Sequence, residues 1–429
     1  MRLDLLHPAD QLTMIMDRIY RNGMTTTSGG NLSILDDNGD IWITPGGIDK
    51  GTLRPEDMMR ISPDGTITGK HKPSIEWPFH RSVYKRRPDI KAVLHAHPSA
   101  LIAFSIVRRL PDVRIIPNIN LTCGEISMAP YGLPGSDELG EKIAVEFDKG
   151  FSTVILENHG VVIGSDNLFK AFMAFETLEF CARLEINALR LGNIHSLSDH
   201  LINISRQKNL AALERFTPDA RSSEERAARR DMIRLIHRSY DQQLFTSTQG
   251  TYSVRLSDGS FLITPYGLDR KYLEPEHLLL IRDGRCEAGY DPSRSVLLHQ
   301  AIYYRHPDIN SIMIAHPPSI MAFAVTDTVF DSKIIPESYV MLRNVQKVPF
   351  GANFLQPMMT ADLISNTTPV LLCENDCVIV TGSSLLAAFD RLEVAEYSAS
   401  AIIASLGLGT IVHISDHEVA DIHQALNLG

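Results

Sequence analysis

Asp89-Ile90-Lys91-Ala92-Val93-Leu94-His95-Ala96-His97-Pro98 and Asp308-Ile309-Asn310-Ser311-Ile312-Met313-Ile314-Ala315-His316-Pro317 are one segment met twice, about 219 residues apart. In both, an apolar run leads to a histidine and a proline that stops it. Such a run reads as a short strand entering a turn. In the first version the strand carries His95 and His97, and side chains two apart on a strand share a face. The second version keeps only His316.

The repeat extends outward from this segment. Ile43-Thr44-Pro45-Gly46-Gly47-Ile48-Asp49 matches Ile263-Thr264-Pro265-Tyr266-Gly267-Leu268-Asp269, and Ile115-Ile116-Pro117 matches Ile334-Ile335-Pro336. Leu156-Glu157-Asn158 matches Cys373-Glu374-Asn375. The chain is therefore expected to hold two copies of one unit, residues 1–206 and 230–429, joined by a polar linker, 207–229. The charged run Ser223-Glu224-Glu225-Arg226 within that linker reads as a solvated helix face. Within the first copy, strands are expected at Gly39 to Thr44, Ile90 to His97, Val154 to Leu156 and Val161 to Ile163. Helices are expected over Met1 to Tyr20, Trp77 to Arg86 and Leu168 to Leu191. Strands and helices alternating in this way predict an α/β fold, two tandem α/β/α domains each built on a central sheet.

Bulk composition narrows the function. The 429 residues carry a net charge of −10 with no basic stripe, which argues against nucleic acid as a partner. No apolar run approaches a membrane span, so no membrane partner is expected. The N-terminus lacks a signal-peptide layout. Five cysteines without a framework spacing read as reduced, buried thiols of a cytoplasmic protein.

His95 and His97, Glu76 in Pro73-Ser74-Ile75-Glu76, and His159 in Glu157-Asn158-His159-Gly160 together form a donor set for a divalent cation. Asn-His-Gly between two apolar strands puts an imidazole at a turn, where sites gather. Imidazoles with a carboxylate suit Zn²⁺, with Mn²⁺, Fe²⁺ or Co²⁺ as alternatives. His80 reads as a packing residue, because its counterpart His299 persists where the other donors are lost.

These motifs resemble the class II aldolase/adducin family. The resemblance rests on Ser28-Gly29-Gly30-Asn31-Leu32-Ser33, Thr44-Pro45-Gly46-Gly47, Pro73-Ser74-Ile75-Glu76, His95-Ala96-His97, Ala129-Pro130-Tyr131 and Asn158-His159-Gly160. It implies a mainly antiparallel sheet, and a zinc ion held by His95, His97, His159 and, at rest, Glu76. It further implies that a keto-alcohol substrate displaces Glu76, which then moves a proton beside a metal-stabilised enediolate. Gly29, Gly30, Asn31, Gly46, Gly47 and Ser74 become the substrate-anion contacts. The family commonly forms four-fold rings, so a fused pair implies a homodimer with pseudo-four-fold symmetry or a larger even oligomer.

The chain also departs from the phosphate-using pattern. Gly46 stands where a hydroxyl residue is usual in the Thr-Pro-x-Gly turn, and Ile75 replaces the second hydroxyl before the glutamate. A sugar acid is therefore an alternative to a sugar phosphate. The family's tyrosine from a neighbouring subunit is matched only by Leu121 in the first copy, whereas the second copy offers Tyr339 as a side chain to lend. In the second copy Ser295 replaces Glu76, Ile314 replaces His95, Asp376 replaces His159 and Thr251 replaces Asn31. That copy is expected to lack metal chemistry. The expected activity is that of a metal-dependent lyase, an aldolase cleaving a ketose phosphate or related ketose. An epimerase, dehydratase or decarboxylase on the same metal platform is the alternative, and an adducin-like scaffold the reading from another class.

Overall fold

A computed structural model describes residues 5–426. The first copy forms an eight-stranded sheet. Its strands are β1 (Asn31–Leu35), β2 (Ile41–Ile43), β3 (Met59–Ile61), β4 (Ile67–Thr68), β5 (Ala92–Ala96), β6 (Ile126–Ala129), β7 (Thr153–Leu156) and β8 (Val161–Ser165). They lie in the order β4-β3-β2-β1-β5-β8-β7-β6. Every pairing is antiparallel except β6 with β7. All of β5 and β7 is buried, as strands covered on both faces must be.

The second copy repeats this order. Its strands are β9 (Arg215–Phe216), β10 (Thr251–Arg255), β11 (Phe261–Ile263), β12 (Leu279–Arg282), β13 (Arg285–Glu287), β14 (Ser311–Ala315), β15 (Val345–Val348), β16 (Val370–Cys373) and β17 (Cys377–Gly382). The order β15-β16-β17-β14-β10-β11-β12-β13-β9 is the first sheet with one strand added at the edge. The parallel pairs are β15 with β16 and β13 with β9.

Local sequence explains the helix that carries the site. Trp77–Arg86 begins with Pro78 at its second position, where a missing N–H costs nothing, and places Lys85 and Arg86 at the negative end of the dipole. It ends because Pro88 pushes Arg87 out of the helical region, to φ −125° and ψ 82°. Phe79, Val83 and Tyr84 from this helix pack with Leu139, Ile143 and Phe147 of helix Asp137–Asp148 against Val93, Val154 and Val162 of the sheet. Burying one such apolar side chain fully contributes about 1.5–3 kcal/mol. Helix Leu168–Leu191 forms over the expected residues. The N-terminal helix runs Pro8–Arg21, and the part of the expected helix over residues 1–4 lies outside the described residues.

Three expectations change. The His strand stops at Ala96, so His95 is a strand residue and His97 lies just past its end, before Pro98. The joining segment is not plain linker: Arg215–Phe216 pairs with β13, and helix Ser223–Asp241 begins inside it. The run at 223–226 does open a helix, and Ser223, Glu224 and Arg226 are exposed as expected, but Glu225 is not part of that solvated face. Glu225 is 2% exposed and pairs with Arg229 at 2.7 Å and Arg221 at 2.6 Å, because both arginines also reach Glu287 and close a buried charge network.

By contact the chain divides into two compact units. One comprises the chain up to Val113 with Asn118–Arg183, the other Leu184 onward with Arg114–Pro117. The division falls inside helix Leu168–Leu191, upstream of the expected linker. Among the described residues no helix is long and apolar enough to cross a membrane. All five cysteines are free and buried.

Candidate metal centre

The first copy brings its histidines together. β5 delivers His95, the turn beyond it delivers His97, and the corner between β7 and β8 delivers His159. One ring nitrogen from each lies within 4.8 Å of the others, the one such group among the described residues. The corner works because Asn158 accepts φ +54°, a left-handed position that asparagine tolerates better than most residues. Asn375 does the same at +52° in the second copy, which explains the repeated Glu-Asn pair.

Glu76 caps the start of helix Trp77–Arg86 and points at this group. Its Oε2 lies 3.2 Å from His95 Nε2, and its Oε1 3.3 Å from His159 Nε2. Burial favours the neutral acid, but the facing His95 and His159 outweigh it and hold the carboxyl well below its usual range. Burial pushes His97 down to about 3 and His159 down to about 4, keeping these imidazoles neutral as ligands require. His95 is raised: burial opposes its charge, but the neighbouring Glu76 carboxylate prevails.

The donor set fits a cation. His95 Nδ1 is tied to Val161 O at 2.9 Å, so it carries the ring proton and leaves Nε2 bare. That Nε2 faces His97 Nε2 at 2.9 Å. Glu76 Oε1 is buried without a hydrogen bond. Two ring nitrogens and a carboxylate oxygen thus converge where a single cation would satisfy all three.

Sequence reasoning missed what holds Glu76. His80, read as packing, is fully buried and sits inside a chain of hydrogen bonds. Glu76 Oε2 can only accept, so Asn31 Nδ2 donates to it at 2.7 Å. Asn31 Oδ1 then accepts from His80 Nε2, and His80 Nδ1 accepts from Ser33 Oγ, itself bonded to Tyr84 Oη. Burial lowers His80 to about 3, consistent with this neutral tautomer. The signal was available: Asn31, Ser33, His80 and Tyr84 sit at fixed spacing on β1 and one helix face. Asn31 therefore serves the carboxylate.

The other nominated anion contacts divide. Gly29 and Gly46 spend their amides on Thr26 O and Lys72 O. Ser74 Oγ accepts from the Glu76 amide. Gly30, at φ +76°, instead lets two backbones approach closely, since a Cβ there would come within 2.7 Å of His95 O. Lys50, not foreseen, is 3% exposed, donates from Nζ to Pro45 O at 2.6 Å, and is lowered to about 8 by burial, partly offset by the Glu76 charge. Tyr339 belongs to the second copy, where its hydroxyl is 2.8 Å from His423 Nε2.

At the corresponding place in the second copy, Asp376 accepts from Asn353 Nδ2 at 2.6 Å and pairs with Lys208 Nζ at 3.2 Å. His316 is pushed down to about 4 by burial. An ammonium thus meets the one remaining carboxylate.

Comparison with known proteins finds matches to both copies. The profile of the Class II Aldolase and Adducin N-terminal domain matches residues 10–186 and again 230–403. A 3-oxo-tetronate 4-phosphate decarboxylase of Pectobacterium atrosepticum is 35% identical over 169 residues, covering 38% of this chain and 77% of that protein. A 5-deoxy-D-ribulose 1-phosphate aldolase of Bacillus thuringiensis is 32% identical over 194 residues, covering 44% of this chain and 90% of its own. An L-fuculose phosphate aldolase of Methanococcus maripaludis is 32% identical over 190 residues, covering 44% of this chain and 100% of its own.

Proposed function

Because this chain belongs to the class II aldolase and adducin family, we propose that its first copy is a metal-dependent lyase that cleaves a ketose phosphate. The carrying observation is the convergence of His95, His97 and His159 on one another, with the Glu76 carboxylate against His95 and His159. Zn²⁺ suits this donor set best, with Mn²⁺, Fe²⁺ or Co²⁺ able to replace it. When bound, the cation supplies Lewis-acid polarisation of a keto-alcohol. Glu76 moves the proton. Its Oε2 stays anchored by Asn31 while Oε1, free of hydrogen bonds, gives and takes the proton at the substrate.

Decarboxylation of a sugar-acid phosphate is the second reading. It is favoured by the decarboxylase among the relatives. We assign catalysis to residues 1–206 and a supporting role to 230–429, with 207–229 joining them. The active assembly in this reading is a dimer of two-copy chains in the cytoplasm, which the five free thiols support.

Metal-loaded protein offered ketose phosphates, free ketoses and sugar-acid phosphates should release an aldehyde, or carbon dioxide on the second reading. Glu76→Gln should keep its metal and lose about 10²–10⁴-fold in turnover. Near-normal turnover in that variant would remove Glu76 from the mechanism, and absence of any bound metal in the wild type would favour a scaffold.

A further inference from the structure

Outside the metal centre the copies differ at the turn after the helix that follows the paired Ile-Ile-Pro. In the first copy helix Pro117–Cys123 ends at Gly124, with φ +63°. A Cβ there would meet nothing within 4 Å, so conformation alone calls for glycine. In the second copy helix Pro336–Leu342 ends at Arg343, with φ +52° and ψ −118°. An arginine in that region carries strain that glycine would relieve, and such strain persists where a side chain is needed for another purpose.

Arg343 does not gain an ion pair in return. Among the described residues its guanidinium has neither a carboxylate nor a hydrogen-bond partner; it lies 5.8 Å from the Tyr339 ring centroid. It lines a cavity of about 430 Å³ in the second unit, together with Lys333, Tyr339, Asn344, Thr367 and His423. Lys333 is neutralised by Asp416 at 2.9 Å, and the lining carboxylate Asp331 faces His413 at 3.2 Å. Among the described residues Arg343 has no carboxylate within ion-pair distance, although Asp331 lines the same cavity. Beside it, the Tyr339 hydroxyl and His423 are held together at 2.8 Å, an oriented polar pair facing the same space.

We propose that this cavity is a binding site for a small oxyanion, with Arg343 clasping a phosphate or carboxylate group and Tyr339, His423, Asn344 and Thr367 contacting the remainder of the ligand. A guanidinium fork matches either group through two parallel hydrogen bonds. The volume suits a ligand of sugar-phosphate size. Every residue of its lining belongs to the second unit, and the site does not depend on the reaction assigned to the first copy.

Strain gives the test an unusual sign. Inorganic phosphate is titrated calorimetrically into the full metal-loaded chain at constant ionic strength, comparing wild type with Arg343→Gly and Arg343→Lys. The wild type should show a phosphate site that Arg343→Gly weakens by at least about tenfold. That same variant, without phosphate, should melt about 2–4 °C higher. Arg343→Lys should bind with intermediate affinity. The difference between variants isolates this site from any anion site in the first copy. Unchanged phosphate binding in Arg343→Gly, no phosphate binding in the wild type, or a lower melting temperature for Arg343→Gly would each overturn the proposal.

Discussion

The two copies share the hydrogen-bonded trio of tyrosine, serine and histidine that leads toward the metal centre and part company at the next residue. In the first, Tyr84, Ser33, His80 and Asn31 form an unbroken chain to Glu76. In the second, Tyr303 and His299 still meet at Ser253, with contacts of 2.7 and 2.6 Å. There the chain stops. Thr251 stands in for Asn31 and bonds to Ser293 Oγ at 2.7 Å, leaving His299 Nε2 buried and unpartnered. The copies thus differ at the donors while the hydrogen-bonded core beneath them keeps one form. The buried orphan in the second copy is the nitrogen whose first-copy counterpart donates to Asn31.

Moving second-copy residues into the first copy tests this comparison. The largest effect belongs to His95→Ile, the substitution represented by Ile314. Metal content should fall from one ion per chain to none, and activity to background. Two ions per wild-type chain would instead mean that the second copy is not metal-free. Next comes Asn31→Thr. It should retain metal but free Glu76 and orphan His80, lowering kcat/KM about 10–100-fold, as loss of an outer partner commonly does. If kinetics at saturating metal match wild type, the chain from Tyr84 to Glu76 is not what aims the carboxylate.

A smaller effect, on stability alone, is expected from Lys208→Met. Asp376 would lose its ammonium partner, costing about 1–3 kcal/mol, while kcat stays unchanged. A loss of turnover without unfolding would show that the second copy does more than support. The smallest concerns a carboxylate present in both copies. Glu179 accepts from the amides of Ala100 and Leu101, and Glu396 from those of Ser319 and Ile320, each capping the helix after the His-Pro turn. Burial raises Glu179 to about 7 from 4.5. The folded chain thus holds a proton that the unfolded chain releases between these values, so this group's contribution is full below about 4.5 and is lost as pH rises through about 7. Glu179→Gln should flatten that part of the stability–pH curve, measured by denaturant unfolding; an unaltered slope would place the linkage elsewhere.

Periodicity and repetition made much of the architecture legible. Helices Trp77–Arg86 and Leu168–Leu191 fall where apolar spacing predicts them, and the β7–β8 corner where Glu-Asn-His-Gly interrupts two apolar runs. The metal donors were readable because imidazoles and carboxylates are scarce enough for their pattern to show. Less visible were the groups that act through them. His80 carries the same residue type in both copies, and only the geometry shows that one His80 nitrogen reaches Asn31 while its counterpart reaches nothing. The buried Glu225 network likewise looked like surface charge, since a run of ions does not disclose which of them finds partners.

Sequence by itself determined that there are two copies, several strands and helices of the first, and that only one copy has a full set of donors, because residue identity limits what can bind a cation. Tertiary structure decided which oxygen of Glu76 is anchored and which is free, where Lys50 and Lys208 place their charges, and that Arg343 occupies a strained turn beside a cavity. Those outcomes depend on distances of a few ångströms between segments far apart in the chain, and such distances follow from packing rather than from local pattern.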